Sequence, residues 1–189
     1  MTFADLITTV SKTYSQEILK PENAFRMEAS LNSRAHDLFG IVNGIDTDDW
    51  NPATDRWIKQ RFDVNSVAGK SVCRQDLIEH FKLDLPDETP LVCLVTRLTP
   101  QKGIDLILEG VNFILEKAGL IVMGVGDSHY EDFFRSRQGK RLGVFLKFDE
   151  ALAHKVIAGS DMLLMPSVYE PCGLTQMQAM HYGTVPVVN

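Results

Sequence analysis

Hydrophobic and polar positions are arranged in two textures along the chain. Up to about Pro90, short apolar pieces stand between polar turns. Phe3–Val10 predicts a short strand, Tyr14–Lys20 one or two helical turns, and Leu38–Ile45 a second strand stopped by Asn43-Gly44 and the polar stretch Asp46–Asn51. Asp55–Asn65 has the pattern of a charged connector. Ser71–Phe81 predicts a helix with Ser71 as its N-cap and Leu77, Ile78 and Phe81 on one face. Pro86 and Pro90 close the region.

From Leu91 the pattern turns regular. Leu91–Thr96 is a continuous apolar run, as expected of a strand buried on both faces. Ile104, Ile107, Leu108, Val111 and Ile114 follow at helical spacing, and Gly119 ends that helix. Leu120–Gly124, Val144–Leu146, Asp161–Met165 and Val185–Val188 predict further strands. Between them lie helices beginning at Asp127 or Ser128, at Ala151 (to Ala158) and at Leu174 (to Tyr182). Strand and helix taking turns predict an α/β fold, a Rossmann-like parallel sheet with helices on both faces. Such sheets bind ligands beyond the carboxyl ends of their strands, so chemistry is expected in the residues that follow each strand.

After the first of these strands, Arg97 and Lys102 lie just before a helix N-terminus. Two cations beside unpaired backbone N–H groups suit a phosphate or diphosphate. A turn whose charges simply face water accounts for the same spacing. After the second strand, Gly124-Val125-Gly126-Asp127 lets backbone approach a ligand closely. It lacks the third glycine of a dinucleotide fingerprint, and no GxGxxG follows Leu91–Thr96, which counts against a nicotinamide enzyme. Phe148 follows the third strand, where it either stacks on a nucleobase or packs in the core. The fourth strand leads into Pro166–Gln176. There Glu170 offers a carboxylate to ligand hydroxyls or to the helix dipole, and Gly173–Thr175 open a helix with free amides. Hydroxyls next to phosphate describe a nucleotide sugar. Cys172 is expected to be a small packed residue rather than a nucleophile.

Composition narrows the classes further. With 44% hydrophobic and 23% charged residues among 189, a disordered tail, a fibre and a coiled-coil rod are excluded. A net charge of −6 without a long basic run excludes a protein that wraps nucleic acid. Cys73, Cys93 and Cys172 are widely spaced and form no CxxC, which argues against a disulfide scaffold or a zinc site and fits a reducing cytosol. No apolar run approaches the roughly 18 residues of a membrane helix. Neither nucleic acid nor membrane is expected as a partner.

Several segments are more specific. TVS before Lys12–Glu17, GIVNGID (Gly40–Asp46) with WNP (Trp50–Pro52), CRQDL (Cys73–Leu77), VTRLTPQKGIDL (Val95–Leu106), FDEALAH (Phe148–His154) and DMLLMPSVYEPCGLTQMQAMHYGTVPVV (Asp161–Val188) stand in this order over nearly the whole chain. Together they resemble bacterial glycogen synthases and plant starch synthases, the ADP-glucose-dependent glucan synthases of the GT-B glycosyltransferase type. Only Ala24–Asp37 and Tyr130–Arg141 match loosely.

The resemblance implies two Rossmann-like domains across a cleft, the C-terminal one holding the nucleotide sugar and the N-terminal one the glucan. It implies that Arg97 and Lys102 bind the diphosphate and that Glu170 holds the donor glucose, the three forming the catalytic set. Phe148 would stack on adenine, and Cys172, Gly173, Leu174, Thr175 and Gln178 would line the phosphate, sugar and ribose pocket. ADP-glucose, or ADP, and an α-1,4-glucan are the implied partners, with no metal and no cofactor. The implied reaction extends the non-reducing end of the glucan with retention of configuration. Lys147 stands where the family usually has Gly, and Gln178 where the broader retaining pattern has a second Glu.

On this basis residues 1–50 are expected to be a remnant of the acceptor domain with its linker, and residues 51–189 an incomplete nucleotide-sugar domain. The acceptor domain's KTGGL-type motif and sugar-site His, and a later TGGL segment, do not occur here, so this stretch alone is expected to be inactive. A bacterial protein of this kind would be cytoplasmic, a plant one plastidic. Two alternatives stand beside the enzyme. One is a catalytically silent nucleotide-binding module of the same descent. The other is a sucrose- or trehalose-forming transferase, against which EPCGLTQ (Glu170–Gln176) speaks.

Overall fold

The computed structural model describes residues 3–189. By its internal contacts the chain forms two units. One gathers the residues up to Ile45 with Glu170–Leu174, the other Asp46–Tyr169 with Thr175–Asn189.

In the first unit, β1 (Ile7–Thr9) and β2 (Leu38–Gly40) pair in parallel, Ile7 opposite Leu38 and Thr9 opposite Gly40. Parallel strands need a long crossover, and here it holds α1 (Lys12–Glu17) and α2 (Glu28–Ser33). The Ser11 hydroxyl accepts from the Tyr14 backbone N–H at 3.0 Å, so α1 starts at Lys12 rather than at the predicted Tyr14. Both strands are shorter than their apolar runs suggest. The flanks explain this: Phe3, Leu6, Ile41 and Val42 are exposed and have no sheet face to cover.

The second unit contains α3 (Ala68–Phe81), β3 (Leu91–Val95), α4 (Ile104–Lys117), β4 (Gly119–Met123), α5 (Ser128–Arg137), β5 (Leu142–Phe145), α6 (Glu150–Gly159), β6 (Met162–Met165), α7 (Leu174–His181) and β7 (Val185–Val188). The five strands are parallel in the order β5-β4-β3-β6-β7. Alternation along β3 and β4 divides the core in two. Leu91, Cys93, Ile121 and Met123 pack with α3, α6 and Tyr182, whereas Val92, Leu94, Leu120 and Val122 pack with α4 and α5. This is a Rossmann-like α/β sheet with helices on both faces. From β3 the chain moves outward to β5 and then returns to β6 on the other side. Sheets of this type open their ligand crevice where the strand order reverses.

Three predicted details are corrected. The helix predicted from Ser71 begins at Ala68, after Val67, and Ser71 caps nothing. Asp63 Oδ1 accepts from the Asn65 and Ser66 amides at 2.8 and 2.9 Å, and this turn feeds the chain into α3 early. The strand predicted over Val144–Leu146 runs from Leu142 to Phe145, in register with β4. Asp55, placed in a charged connector, is buried. Arg74 of the CRQDL segment is architectural: it pairs with Asp161 at 2.8 Å, and the same carboxylate accepts from the Leu91 amide at 2.7 Å. Among the described residues no helix is long and apolar enough to cross a membrane.

Lys70 of α3 is a half-buried cation. Its ammonium donates to Ala158 O (2.9 Å), Tyr182 O (3.1 Å) and Thr184 Oγ1 (2.8 Å), fastening α3 to the ends of α6 and α7. Burial lowers its pKa from 10.5 to about 8. Below pH about 8 the amine is protonated whether folded or unfolded, and its contribution is constant. Between about 8 and 10.5 the native chain has released the proton and the unfolded chain still holds it. Stability relative to Lys70→Met is therefore expected to rise with pH across that window. Urea unfolding of both proteins from pH 7 to 10.5 measures the difference, and a flat difference contradicts the assignment.

Candidate active site

A cavity of about 240 Å³ lies at the carboxyl ends of β3, β4 and β5. Val95, Met123 and Ala153 make it apolar, and Thr96, Gly124 and Val125 bring backbone to its wall. Arg97, Lys147 and Phe148 complete the lining. Phe148 is 86% exposed, so it projects from the strand end and takes no part in the core. Pockets for whole drug-sized ligands run from roughly 300 to 1,000 Å³. This cavity suits one flat group, with its remainder outside.

The cavity's electrostatics are one-sided. Arg97 and Lys147 are exposed on its lining, and no carboxylate stands among the lining residues. Among the described residues nothing pairs with Arg97. A flat apolar slot edged by two cations matches an aromatic ring carrying an anion.

Two glycines hold the crevice together. Gly124 has φ 149°, and a Cβ there would lie 1.8 Å from Thr96 O. Gly103 has φ 68°, and a Cβ there would lie 1.8 Å from Pro166 O. Only glycine permits backbone to rest on backbone in this way. Hydrogen bonds lace the same loops: Leu98 N to Val125 O (2.9 Å), Asp127 N to Leu98 O (2.9 Å) and Val168 N to Gln101 O (2.9 Å). Gln101 Nε2 donates to Tyr169 O at 2.7 Å.

Of the residues singled out in the sequence, the structure brings Arg97 and Phe148 into one cavity. Lys102 does not line it. It ends the tight turn Pro100–Lys102, two residues before the start of α4, and is half-buried. Thr175 and Gln178 are half-buried on α7, three residues apart and therefore on one helix face. Glu170, Cys172, Gly173 and Leu174 belong to the first unit. Glu170 and Cys172 are half-buried, the Cys172 thiol is free, and Gly173 has φ 74° immediately before Leu174 opens α7.

The structure adds a buried polar cluster that the sequence reasoning missed. Asp55, His154 and Tyr182 are 4%, 0% and 0% exposed. His154 Nδ1 lies 2.8 Å from Asp55 Oδ2, to which the Tyr182 hydroxyl donates at 2.6 Å. Trp50 stacks flat on the His154 ring, with centroids 3.7 Å apart. Burial, then the bond to Asp55, pushes the Tyr182 phenol well above its usual range. A signal existed: His154 falls at helical spacing with Ala151, Ile157 and Ala158, and a histidine on an apolar face needs a buried partner.

Residues 75–189 match the family of glycosyl transferases group 1. The chain belongs to that family. It is 45% identical over 192 residues to a glycogen synthase of Roseobacter denitrificans, covering all of this chain and 40% of that protein. A glycogen synthase 2 of Geobacter sulfurreducens is 46% identical over 189 residues, covering 98% and 39% respectively. Among solved structures, the catalytic domain of starch synthase IV from Arabidopsis thaliana, bound to ADP and acarbose, superimposes with a TM-score of 0.92. It is 38% identical and the match covers 98% of this chain and 39% of that one. The chain thus spans about two-fifths of the length of these group 1 transferases.

Proposed function

We propose that the chain is part of an ADP-glucose-dependent α-1,4-glucan synthase and carries most of its nucleotide-sugar domain. The single observation that carries this is the cavity beyond β3, β4 and β5: an apolar slot with exposed Phe148 above it and Arg97 and Lys147 at its edge. The 38% identical starch synthase structure is a complex with ADP, which is a flat ring with a diphosphate. Adenine would lie in the slot against Phe148. Arg97 and Lys102 would meet the diphosphate, and Glu170, Cys172, Gly173, Leu174, Thr175 and Gln178 the sugars and phosphates. Lys147, which stands where the resemblance expects Gly, is exposed on the cavity lining and would add a second cation at the edge of the slot.

Chemistry follows from charge. As the bond between glucose C1 and the phosphate oxygen breaks, negative charge grows on the leaving ADP, and fixed cations lower the barrier by offsetting it. The C4 hydroxyl at the non-reducing end of the glucan forms the new bond on the same face, and its proton leaves with the phosphate. Residues up to about 50 would belong to the acceptor domain and linker, and the remainder to the donor domain. In a bacterium the reaction would be cytoplasmic, in a plant plastidic.

Calorimetric titration with ADP and UDP tests the donor assignment. ADP is expected to bind more tightly than UDP. Phe148→Ala is expected to weaken ADP by about 1–3 kcal/mol, the usual worth of a base stacked on an aromatic ring. UDP binding equal to or tighter than ADP, or ADP binding indifferent to Phe148→Ala, overturns it.

A further inference from the structure

Away from the cavity, the buried cluster on α6 ends in an atom with nothing to bond. The Nδ1 side of His154 faces the Asp55 carboxylate at 2.8 Å. That carboxylate also accepts from the Tyr182 hydroxyl at 2.6 Å and, through Oδ1, from the Trp57 amide at 2.7 Å. Asp55 is thus an acceptor only, and Nδ1 carries the proton. In the neutral imidazole the ring's other nitrogen, Nε2, presents its lone pair outward. It is buried and has no hydrogen-bond partner.

What faces Nε2 is more lone pairs. Asp49 Oδ2 lies 3.8 Å away, too far for a hydrogen bond. The Glu150 carboxylate, in the first turn of α6, completes a trio whose ligand atoms all lie within 4.8 Å of one another. Three acceptors converge with no donor between them. A cation resolves that arrangement, and the donor set, one imidazole and two carboxylates, suits a first-row divalent ion such as zinc. Two ligand atoms on one tetrahedral zinc lie about 3.4 Å apart. Asp49, at 3.8 Å from His154 Nε2, and Glu150 are both exposed and reach that spacing by small side-chain rotations.

We propose that His154 Nε2, Asp49 and Glu150 form a binding site for a divalent transition-metal ion, with water in the remaining positions. Asp55 orients the imidazole from behind, as carboxylates do behind metal-bound histidines. No cysteine takes part. Asp49 and Glu150 are exposed, so the carboxylate side of the site faces solvent. Bound there, it ties the Asp46–Asp55 segment to the N-terminus of α6.

Zinc titration of the tag-free full chain tests the site, followed by calorimetry and by tryptophan fluorescence. Trp50 lies flat on the liganding ring and reports occupancy. One zinc per chain is expected, with a saturable change in fluorescence. Asp49→Asn and Glu150→Gln are each expected to weaken zinc binding by about tenfold or more. Both positions are exposed, and each variant is expected to unfold like the wild type in EDTA. The chain has five histidines, so a fortuitous surface site is distinguishable. Zinc affinity unchanged in both variants places the ion elsewhere and overturns the proposal. So does the absence of saturable binding, and so does an Nε2 proton that persists in nitrogen-15 spectra at saturating zinc.

Discussion

Alanine at Arg97 or at Lys102 is expected to lower glucosyl transfer by the whole synthase about 10²–10³-fold, the usual cost of removing one preorganised donor from a developing anion. The loss is expected in kcat, with KM for the glucan nearly unchanged, because on the proposed assignment these groups meet charge that appears only as ADP leaves. Arg97 is exposed at the edge of the slot with no partner among the described residues. Its removal therefore leaves no buried group unsatisfied, and unfolding free energy is expected to change by no more than about 0.5 kcal/mol. Arg97→Lys keeps the charge but loses the planar fork, so an intermediate rate is expected. Near-normal turnover in either alanine variant would show that the residue does not meet the diphosphate.

Asp55→Ala is expected to be among the most destabilising single changes in the second unit. It leaves the Nδ1 proton of His154, the Tyr182 hydroxyl and the Trp57 amide without their shared acceptor, and His154 and Tyr182 are fully buried. Removing one member of a buried charged network costs about 3–5 kcal/mol, against a total stability of roughly 5–15 kcal/mol for a domain. Tyr182→Phe keeps the other two donors on the carboxylate, and a loss of about 1 kcal/mol is expected. Asp63→Ala, in an exposed turn of the same stretch, is expected to cost less than Asp55→Ala. Urea unfolding measures all three, and equal losses at Asp55 and Asp63 would remove the distinction.

The strands of the second unit are legible in the sequence because each is a short apolar run between breakers. Burial on both faces leaves β3 and β4 no polar alternation to confuse them. Their crevice is legible for the same reason, since parallel topology sends Arg97 and Phe148 to strand ends on one side of the sheet. The first unit is harder. Only Leu31 of α2 is buried, so the helix has no periodic face to announce it. Asp55 is harder still. Its neighbours Arg56, Lys59 and Arg61 set a polar tone, and what buries it are Tyr182 and His154, which are distant in sequence. Composition shows what surrounds a residue along the chain, and a buried carboxylate is decided by what surrounds it in space.

Where Gly124 rests on Thr96, part of the crevice wall is main chain, and Gly103 packs its loop on Pro166. That part of the outline cannot drift with side-chain rotamers, so an arriving ligand meets a wall already formed and loses little affinity to ordering it. Selectivity is then concentrated in the few groups that can still move, chiefly Phe148 and Lys147 at the mouth. Evolution or a designer could retune the preferred ligand by exchanging those two side chains. Any bulk added at the two glycines would instead spoil every ligand alike.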